Sequence, residues 1–512
     1  MSCIRPVYRV LLPMLAALLC LSPAFGQEID ETWRGTSFTS AVALSIDWRD
    51  DSCWVADSGG QAVIHISFGG DELLRKGGFS QPVGVAANPL DHTCWLIDRD
   101  PARLILLDTD GRIWVNRSGL NNPTAIASNP KDGSCWVADA GYDQVIHFDD
   151  DGRELNREDG FADPAALAVN PKDGSCWVAD AGHGEVVHLA ADGSELCRED
   201  TFTRPQSVSV NPVDGSCWVA DSGAAELVHL AEDCSVIWRG ADVSSPQCVS
   251  VNPLDGTLWV ADGTVLYLAP DGSPIWESED PTAATCVAFN PMDGSCWAAA
   301  ADTVFRFAIL DYPAPTFPDV PPCCWAFSDI EACCCAGIVK GYDDNCYHPE
   351  WIVTRAEMAV YITRSILGDS SVPTGPETAT FLDVPNGYWA YDEIEYVYSQ
   401  NIVQGYAGNL YSPEKTITRD QMAVYIARTL VDPTGEAGLA GYVPAHPRNF
   451  PDVPPTGYGA DGTDPYWAYK HIEYCVEHGI IKGYDDGLYR PNSPVSRDQM
   501  AVYIARAFNP LP

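Results

Sequence analysis

Six aspartates share one position of a repeat: Asp57, Asp98, Asp139, Asp180, Asp221 and Asp262, each 41 residues after the last, with Ala300 ending the series. Gathered on one face of a closed fold, such carboxylates could hold a divalent cation, since hard cations take oxygen ligands. Each, however, precedes Ser, Ala, Arg or Gly at a turn, where an Asp side chain caps the local backbone. The capping role is the reading adopted. His65, His147, His188 and His229 form a second series, but Leu106, Tyr267 and Arg306 take the same place. A position that accepts those three residues is packing and not a ligand site. Cys53, Cys94, Cys135, Cys176, Cys217 and Cys296 form a third, with Leu258 replacing them once, so the site wants a buried apolar side chain. Sheets stacked about 10 Å apart would hold these thiols beyond the roughly 7 Å between Cα atoms that a disulfide spans. Asp108-Thr109-Asp110-Gly111 opens like a calcium loop but lacks the closing Glu. No catalytic residue, metal ligand or cofactor is assigned.

The elements that position these series follow from their period. NPKDGSCWVADAG occurs at Asn129–Gly141 and again unchanged at Asn170–Gly182. Trp54, Trp95, Trp136, Trp177, Trp218 and Trp259 are 41 residues apart, and Trp297 follows after 38. A fixed period of this size is one supersecondary unit repeated. In the unit Pro164–Arg204, strands at 166–170, 175–180, 185–189 and 194–198 alternate with turns, Asp173-Gly174 supplying the positive φ of a tight hairpin. Cys176 and Val178 face one way, and Trp177 and Ala179 the other. Both faces are apolar, so the sheet is covered on both sides, as in radially stacked blades. The last unit, Thr285–Leu310, has only three strands. Glu31–Gly35, similar to the fourth strand Val236–Gly240, can complete it and close a ring of seven blades.

Composition narrows the function. A formal charge of −41 over 512 residues excludes nucleic acid as a partner. Arg5 and Arg9, the apolar run Val10–Leu21 and Ala24-Phe25-Gly26 read as a cleaved signal peptide over residues 1–26, and no other stretch is apolar enough to span a membrane. Removing that segment leaves 17 of 19 cysteines, an odd number.

The repeat, with Ala168-Val169-Asn170-Pro171 and Trp177-Val178-Ala179-Asp180-Ala181-Gly182, resembles the NHL and YVTN types of β-propeller repeat, over roughly residues 31–310. The resemblance implies a binding platform, with lyases and lactone hydrolases a minority. After Pro313-Ala314-Pro315 a second repeat begins. Phe317-Pro318-Asp319-Val320 recurs at Phe381 and Phe450. Trp325-Ala326, Trp389-Ala390 and Trp467-Ala468 each start a helix. Gly341-Tyr342, Gly405-Tyr406 and Gly483-Tyr484 follow. Thr354-Arg355, Thr418-Arg419 and Ser496-Arg497 then open a second helix with Thr or Ser as its cap.

These units resemble three S-layer homology (SLH) domains. The resemblance implies non-covalent attachment to cell-wall polysaccharide, a secondary cell-wall polymer or peptidoglycan. Carried over by position, it implies polymer-binding roles for Asp319, Trp325, Gly341, Arg355, Asp383, Trp389, Gly405, Arg419, Asp452, Trp467, Gly483 and Arg497. The family's Thr-Arg-Ala-Glu string survives only at Thr354–Glu357, with Gln421 and Gln499 in place of Glu357 elsewhere. The first unit holds Cys323, Cys324, Cys333, Cys334, Cys335 and Cys346, for which local disulfides are expected.

The fold expected is multidomain: an all-β seven-bladed propeller over 27–312, then an all-α three-repeat SLH domain at 313–367, 380–431 and 449–509. The function expected is that of an extracellular protein anchored at the cell wall, displaying the propeller as a binding or structural module. The alternative is a tethered propeller enzyme of lyase or lactone-hydrolase type.

Overall fold

In the Cys-Trp-Val-Ala-Asp strands at Cys135–Asp139, Cys176–Asp180 and Cys217–Asp221 every residue is buried. Side chains alternate across a strand, so Trp177 and Ala179 pack with Cys217 and Val219 of the next sheet. Cys176 and Val178 pack the other way, with Trp136. Each apolar layer is therefore shared by two neighbouring sheets. The computed structural model describes residues 28–508 except 241–242, 280–282, 311, 323, 369–371, 432, 446–449, 456–464 and 485–486. The expected signal peptide and Cys323 lie outside the described residues.

Seven four-stranded antiparallel sheets result, making a seven-bladed β-propeller. One blade runs Pro164–Val169, Cys176–Asp180, Glu185–Leu189 and Glu195–Glu199, inner strand to outer. The seventh takes Cys286–Phe289, Ser295–Ala300 and Thr303–Ile309 from the end of the repeat array, and its outer strand, Ile29–Gly35, from the start. Ile29 pairs with Ile309 and Gly35 with Val304, and Trp33 packs on Trp297 with ring centres 5.4 Å apart. The expected ring closure is thus present.

The repeated histidines are interior packing, with a geometry the sequence did not disclose. His65, His147, His188 and His229 lie nearly parallel on Trp54, Trp136, Trp177 and Trp218 at 4.1–4.3 Å. The Nε2 atom of each meets the hydroxyl of Ser52, Ser134, Ser175 or Ser216. Burial holds all four below the ordinary imidazole value of about 6.5. The unfolded chain therefore binds these protons first, and stability contributed by the neutral rings is lost as pH falls below about 6.5. The expected result is a thermal midpoint that drops from pH 7.5 to pH 5. The drop should shrink in His188→Leu, leucine being the native occupant at Leu106. An equal drop in that variant would assign the effect to carboxylates alone.

The aspartate series caps backbone, as expected, but reaches further than its own turn. Asp180 accepts from Gly182 N at 3.2 Å, and also from Ala162 N and Asp163 N, 18 and 17 residues earlier, both at 2.9 Å. Asp57, Asp98, Asp139, Asp221 and Asp262 bind the corresponding loops. Each carboxylate ties the entry of its blade to the end of the second strand.

The cysteine series is buried and unbridged. Off that series, Cys197 and Cys234 form a disulfide with Cα atoms 5.9 Å apart, joining the fourth strand of one blade to the outer hairpin of the next. The signal lies in the turn. Cys234 has φ of 64° where other blades place a glycine, such as Gly193 at 88°. A Cβ built on Gly193 would meet Asn156 of the preceding blade at 3.1 Å. Cys234 turns that close approach into a covalent bond.

The chain divides into two compact units, one up to Pro315 with Pro321–Trp325, the other Thr316–Val320 with the remainder from Ala326. In the second, each repeat contributes two helices: Phe327–Cys335 and Arg355–Leu367, Tyr391–Ser399 and Arg419–Leu430, Tyr469–Glu477 and Arg497–Phe508. The second helix of each repeat packs on the first helix of the next, and that of repeat 3 returns to repeat 1. Extended residues also meet at the centre, where Val353 N donates to Val495 O, Val495 N to Ile417 O and Ile417 N to Val353 O. The expectation of helices alone missed this triangle.

Two further expectations change. Thr354 forms a capping box with Glu357, but Thr418 makes no side-chain cap and its hydroxyl donates to Asp420. Ser496 likewise donates to Asp498. The Thr354 hydroxyl donates to the Glu357 carboxylate while accepting from Glu357 N, whereas in the other repeats the carboxylate that the corresponding hydroxyl meets stands at the second helical position. Among the described residues of repeat 1, Cys333, Cys334 and Cys335 carry no disulfide; they sit on one helical turn, and Cys333 points into the core, its thiol directed at Ala501 O.

Candidate functional site

The three arginines expected to bind polymer begin the second helices, and all are buried. Arg355 donates Nε to Tyr411 O at 2.9 Å and Nη2 to Gln404 O at 3.1 Å. Arg419 does the same with Tyr489 O and Lys482 O, both at 2.9 Å, and Arg497 with Tyr347 O at 2.8 Å and Lys340 O at 3.0 Å. Each guanidinium thus holds the Gly-Tyr loop of the following repeat, and the third holds the first. Each also lies over two tyrosine rings of that loop at 4.4–4.9 Å.

The expected aspartates fix the same loops from within. Asp319 accepts from Tyr347 N and His348 N, Asp383 from Tyr411 N and Ser412 N, and Asp452 from Tyr489 N and Arg490 N, at 2.6–3.0 Å. Gly341, Gly405 and Gly483 are required by contact: a Cβ there would come within 2.2–2.7 Å of Phe317, Phe381 or Phe450. The tryptophans are the members that face solvent: Trp325 is 37% exposed, Trp389 59% and Trp467 51%.

In repeat 3 these elements enclose a groove of about 710 Å³ lined by Asp452, Tyr466, Trp467 and Arg490–Pro494. Trp467 is oriented by Nε1 donating to Asp420 Oδ2 at 3.0 Å, and Tyr466 OH donates to the same oxygen at 2.6 Å. Of the expected site residues, the groove brings together Asp452 and Trp467, while Arg497 lies away from it. Arg490, packed over Tyr484 at 4.2 Å, is the cation on its wall, and sequence reasoning missed it. The signal lay in a difference between repeats: His348, Ser412 and Arg490 share one position. In repeat 2 the corresponding wall carries Glu414, which accepts from Tyr388 OH.

In the propeller, the Asn-Pro turns gather their prolines, Pro89 to Pro291, around a cavity of about 250 Å³, with Trp48 at the seventh place.

The family model for the S-layer homology domain matches residues 316–359, 380–423 and 460–501. The C-terminal unit therefore carries three S-layer homology domains. The chain is similar to the cellulosome-anchoring protein of Acetivibrio thermocellus, 29% identical over 172 residues, 34% of this chain and 35% of that protein. It is also similar to cell surface glycoprotein 1 of the same organism, 28% identical over 33% of this chain and 7% of that one. The surface-layer 125 kDa protein of Lysinibacillus sphaericus is 26% identical over 33% of this chain and 13% of its own length. The chain thus spans about a third of the first relative and far less of the others. Among solved structures, virginiamycin B lyase from Staphylococcus aureus covers 56% of this chain and 100% of its own, with a TM-score of 0.48 and 11% identity. No helix among the described residues is long and apolar enough to cross a membrane.

Proposed function

We propose that this chain is an exported cell-surface protein, held non-covalently on a cell-wall polymer by its S-layer homology domains, with the propeller displayed as a binding or structural module. The domains are taken as 27–312 for the propeller and 313–367, 380–431 and 449–509 for repeats that are helical outside the central triangle. The observation that supports this reading best is the groove of repeat 3. It combines an exposed aromatic face, Trp467, with the guanidinium of Arg490, in a protein of formal charge −41. A sugar ring stacks on such a face, and a carboxylate on the sugar takes two parallel hydrogen bonds from an arginine. The buried Arg355, Arg419 and Arg497 serve binding by holding the loops that shape the grooves.

The test is sedimentation of the full chain with purified cell wall. Arg490→Ala should weaken binding roughly ten- to hundredfold, the value of one charge-assisted contact of about 1.5–3 kcal/mol. Trp467→Ala should weaken it further, with circular dichroism unchanged in both. Undiminished binding by the folded double variant would remove this groove from the site. Strong binding by fragment 27–312 alone would remove the anchoring assignment.

A further inference from the structure

Asp344, Cys346 and His348 alternate along the loop of repeat 1, and their ligand atoms all lie within 4.8 Å of one another. Among the described residues, the loops of the three repeats share two backbone features. Tyr342 N donates to Cys346 O, Tyr406 N to Leu410 O and Tyr484 N to Leu488 O. His348, Ser412 and Arg490 have φ of 55°, 58° and 57°. What distinguishes repeat 1 from both others is two side chains: Cys346 stands where they have leucine, and His348 where they have Ser412 and Arg490. Asp344, which repeat 3 matches with Asp486 and repeat 2 replaces by Gly408, completes the set only here.

These side chains are held ready. The imidazole of His348 lies flat on Trp351, ring centres 3.9 Å apart at 7°, with Nε2 2.8 Å from Asp344 Oδ2. The other oxygen, Oδ1, accepts from Cys346 N at 2.9 Å.

We propose that this loop binds one borderline transition-metal dication of the Zn²⁺ class, through the Asp344 carboxylate, the Cys346 thiolate and Nε2 of His348, with water in the fourth position. Sulfur, imidazole nitrogen and carboxylate oxygen are the donor types Zn²⁺ takes, at about 2.3, 2.0 and 2.1 Å. The thiolate selects against Mg²⁺ and Ca²⁺, which take oxygen. Such bond lengths put ligand atoms about 3.3–3.7 Å apart in a tetrahedron, so the present cluster closes by small side-chain shifts. On binding, the Cys346 thiol proton goes to solvent. The imidazole keeps one proton, on Nδ1, and the metal replaces the His348–Asp344 hydrogen bond. The proposal is independent of polymer binding in repeat 3.

The test uses the full-length protein, reduced with a non-chelating phosphine, stripped of metal and titrated with Co²⁺ and then Zn²⁺. One Co²⁺ per chain should bind with a thiolate-to-cobalt charge-transfer band, and Zn²⁺ should abolish the band. Cys346→Leu, which installs the residue of the other repeats, should eliminate it. His348→Ser should weaken Co²⁺ binding by at least about tenfold, with both metal-free variants melting like the parent. The proposal is overturned if no such band forms at one equivalent. It is overturned equally if the band survives in Cys346→Leu, which would hand the metal to Cys334 or Cys335. Peptide mapping that finds Cys346 in a disulfide in the purified protein also overturns it.

Discussion

Arg419→Ala should unfold the C-terminal unit before it weakens any polymer contact. The side chain is 3% exposed and donates to Tyr489 O, Lys482 O and the hydroxyl of Tyr503. Truncation leaves those two carbonyls without their donors in the interior. An unpaired buried acceptor costs about 1–3 kcal/mol, so a total of about 3–4 kcal/mol is expected, a large share of a domain stability of 5–15 kcal/mol. Lysine should not rescue, because a single ammonium cannot span two carbonyls and lie over Tyr484 and Tyr489. Urea unfolding of the full chain, followed by near-ultraviolet circular dichroism, measures this. A variant with parental stability and lost wall binding would return Arg419 to direct contact with polymer.

Deleting residues 28–37 should open the propeller. The blade ending at Thr303–Ile309 would lose six paired positions of its outer strand, along with the packing of Trp33 on Trp297 and the bond from Arg306 Nη1 to Thr32 Oγ1 at 3.0 Å. An unpaired edge strand invites pairing with another chain. The thermal midpoint should fall by about 10 °C or more, at about 2–4 °C per kcal/mol for a domain of this class, and soluble yield should drop. A synthetic peptide of residues 28–37 added during refolding should restore part of both. An unaltered midpoint would mean that the seventh blade is stable with three strands.

The propeller was legible because its layers are written in the chain: a strand with two apolar faces has to be covered twice, and a period of 41 residues says by what. Contacts that cross the period were not legible. Asp180 was readable as a cap of its own turn, but its bonds to Ala162 and Asp163 depend on how blades are entered. Cys197 and Cys234 were lost in a count of 19 cysteines, although the positive-φ turn of Cys234 marked it. In the C-terminal unit the motifs marked the loops but not which way each side chain faces. Three identical arginines can each serve their own repeat or the next, and a repeated sequence cannot distinguish these arrangements. Burial decides between them, and it turns Arg355, Arg419 and Arg497 inward. Arg490 escaped notice because it sits where the repeats disagree, and a search for shared motifs passes over such positions.

The seventh blade also imposes an order of events. Thr32 meets its partner Arg306 across 274 residues of chain, so the strand made first is the last to be paired. Six blades can assemble in sequence, each covering the face of its predecessor, while Ile29–Gly35 waits and both ends of the array stay uncovered. Loop-closure entropy grows only with the logarithm of length, so the long wait costs little free energy. It costs time during which two apolar faces are open to neighbouring molecules. A propeller emerging from its amino end is therefore most exposed to neighbouring copies just before Thr303–Ile309 is made, well ahead of the C-terminal unit.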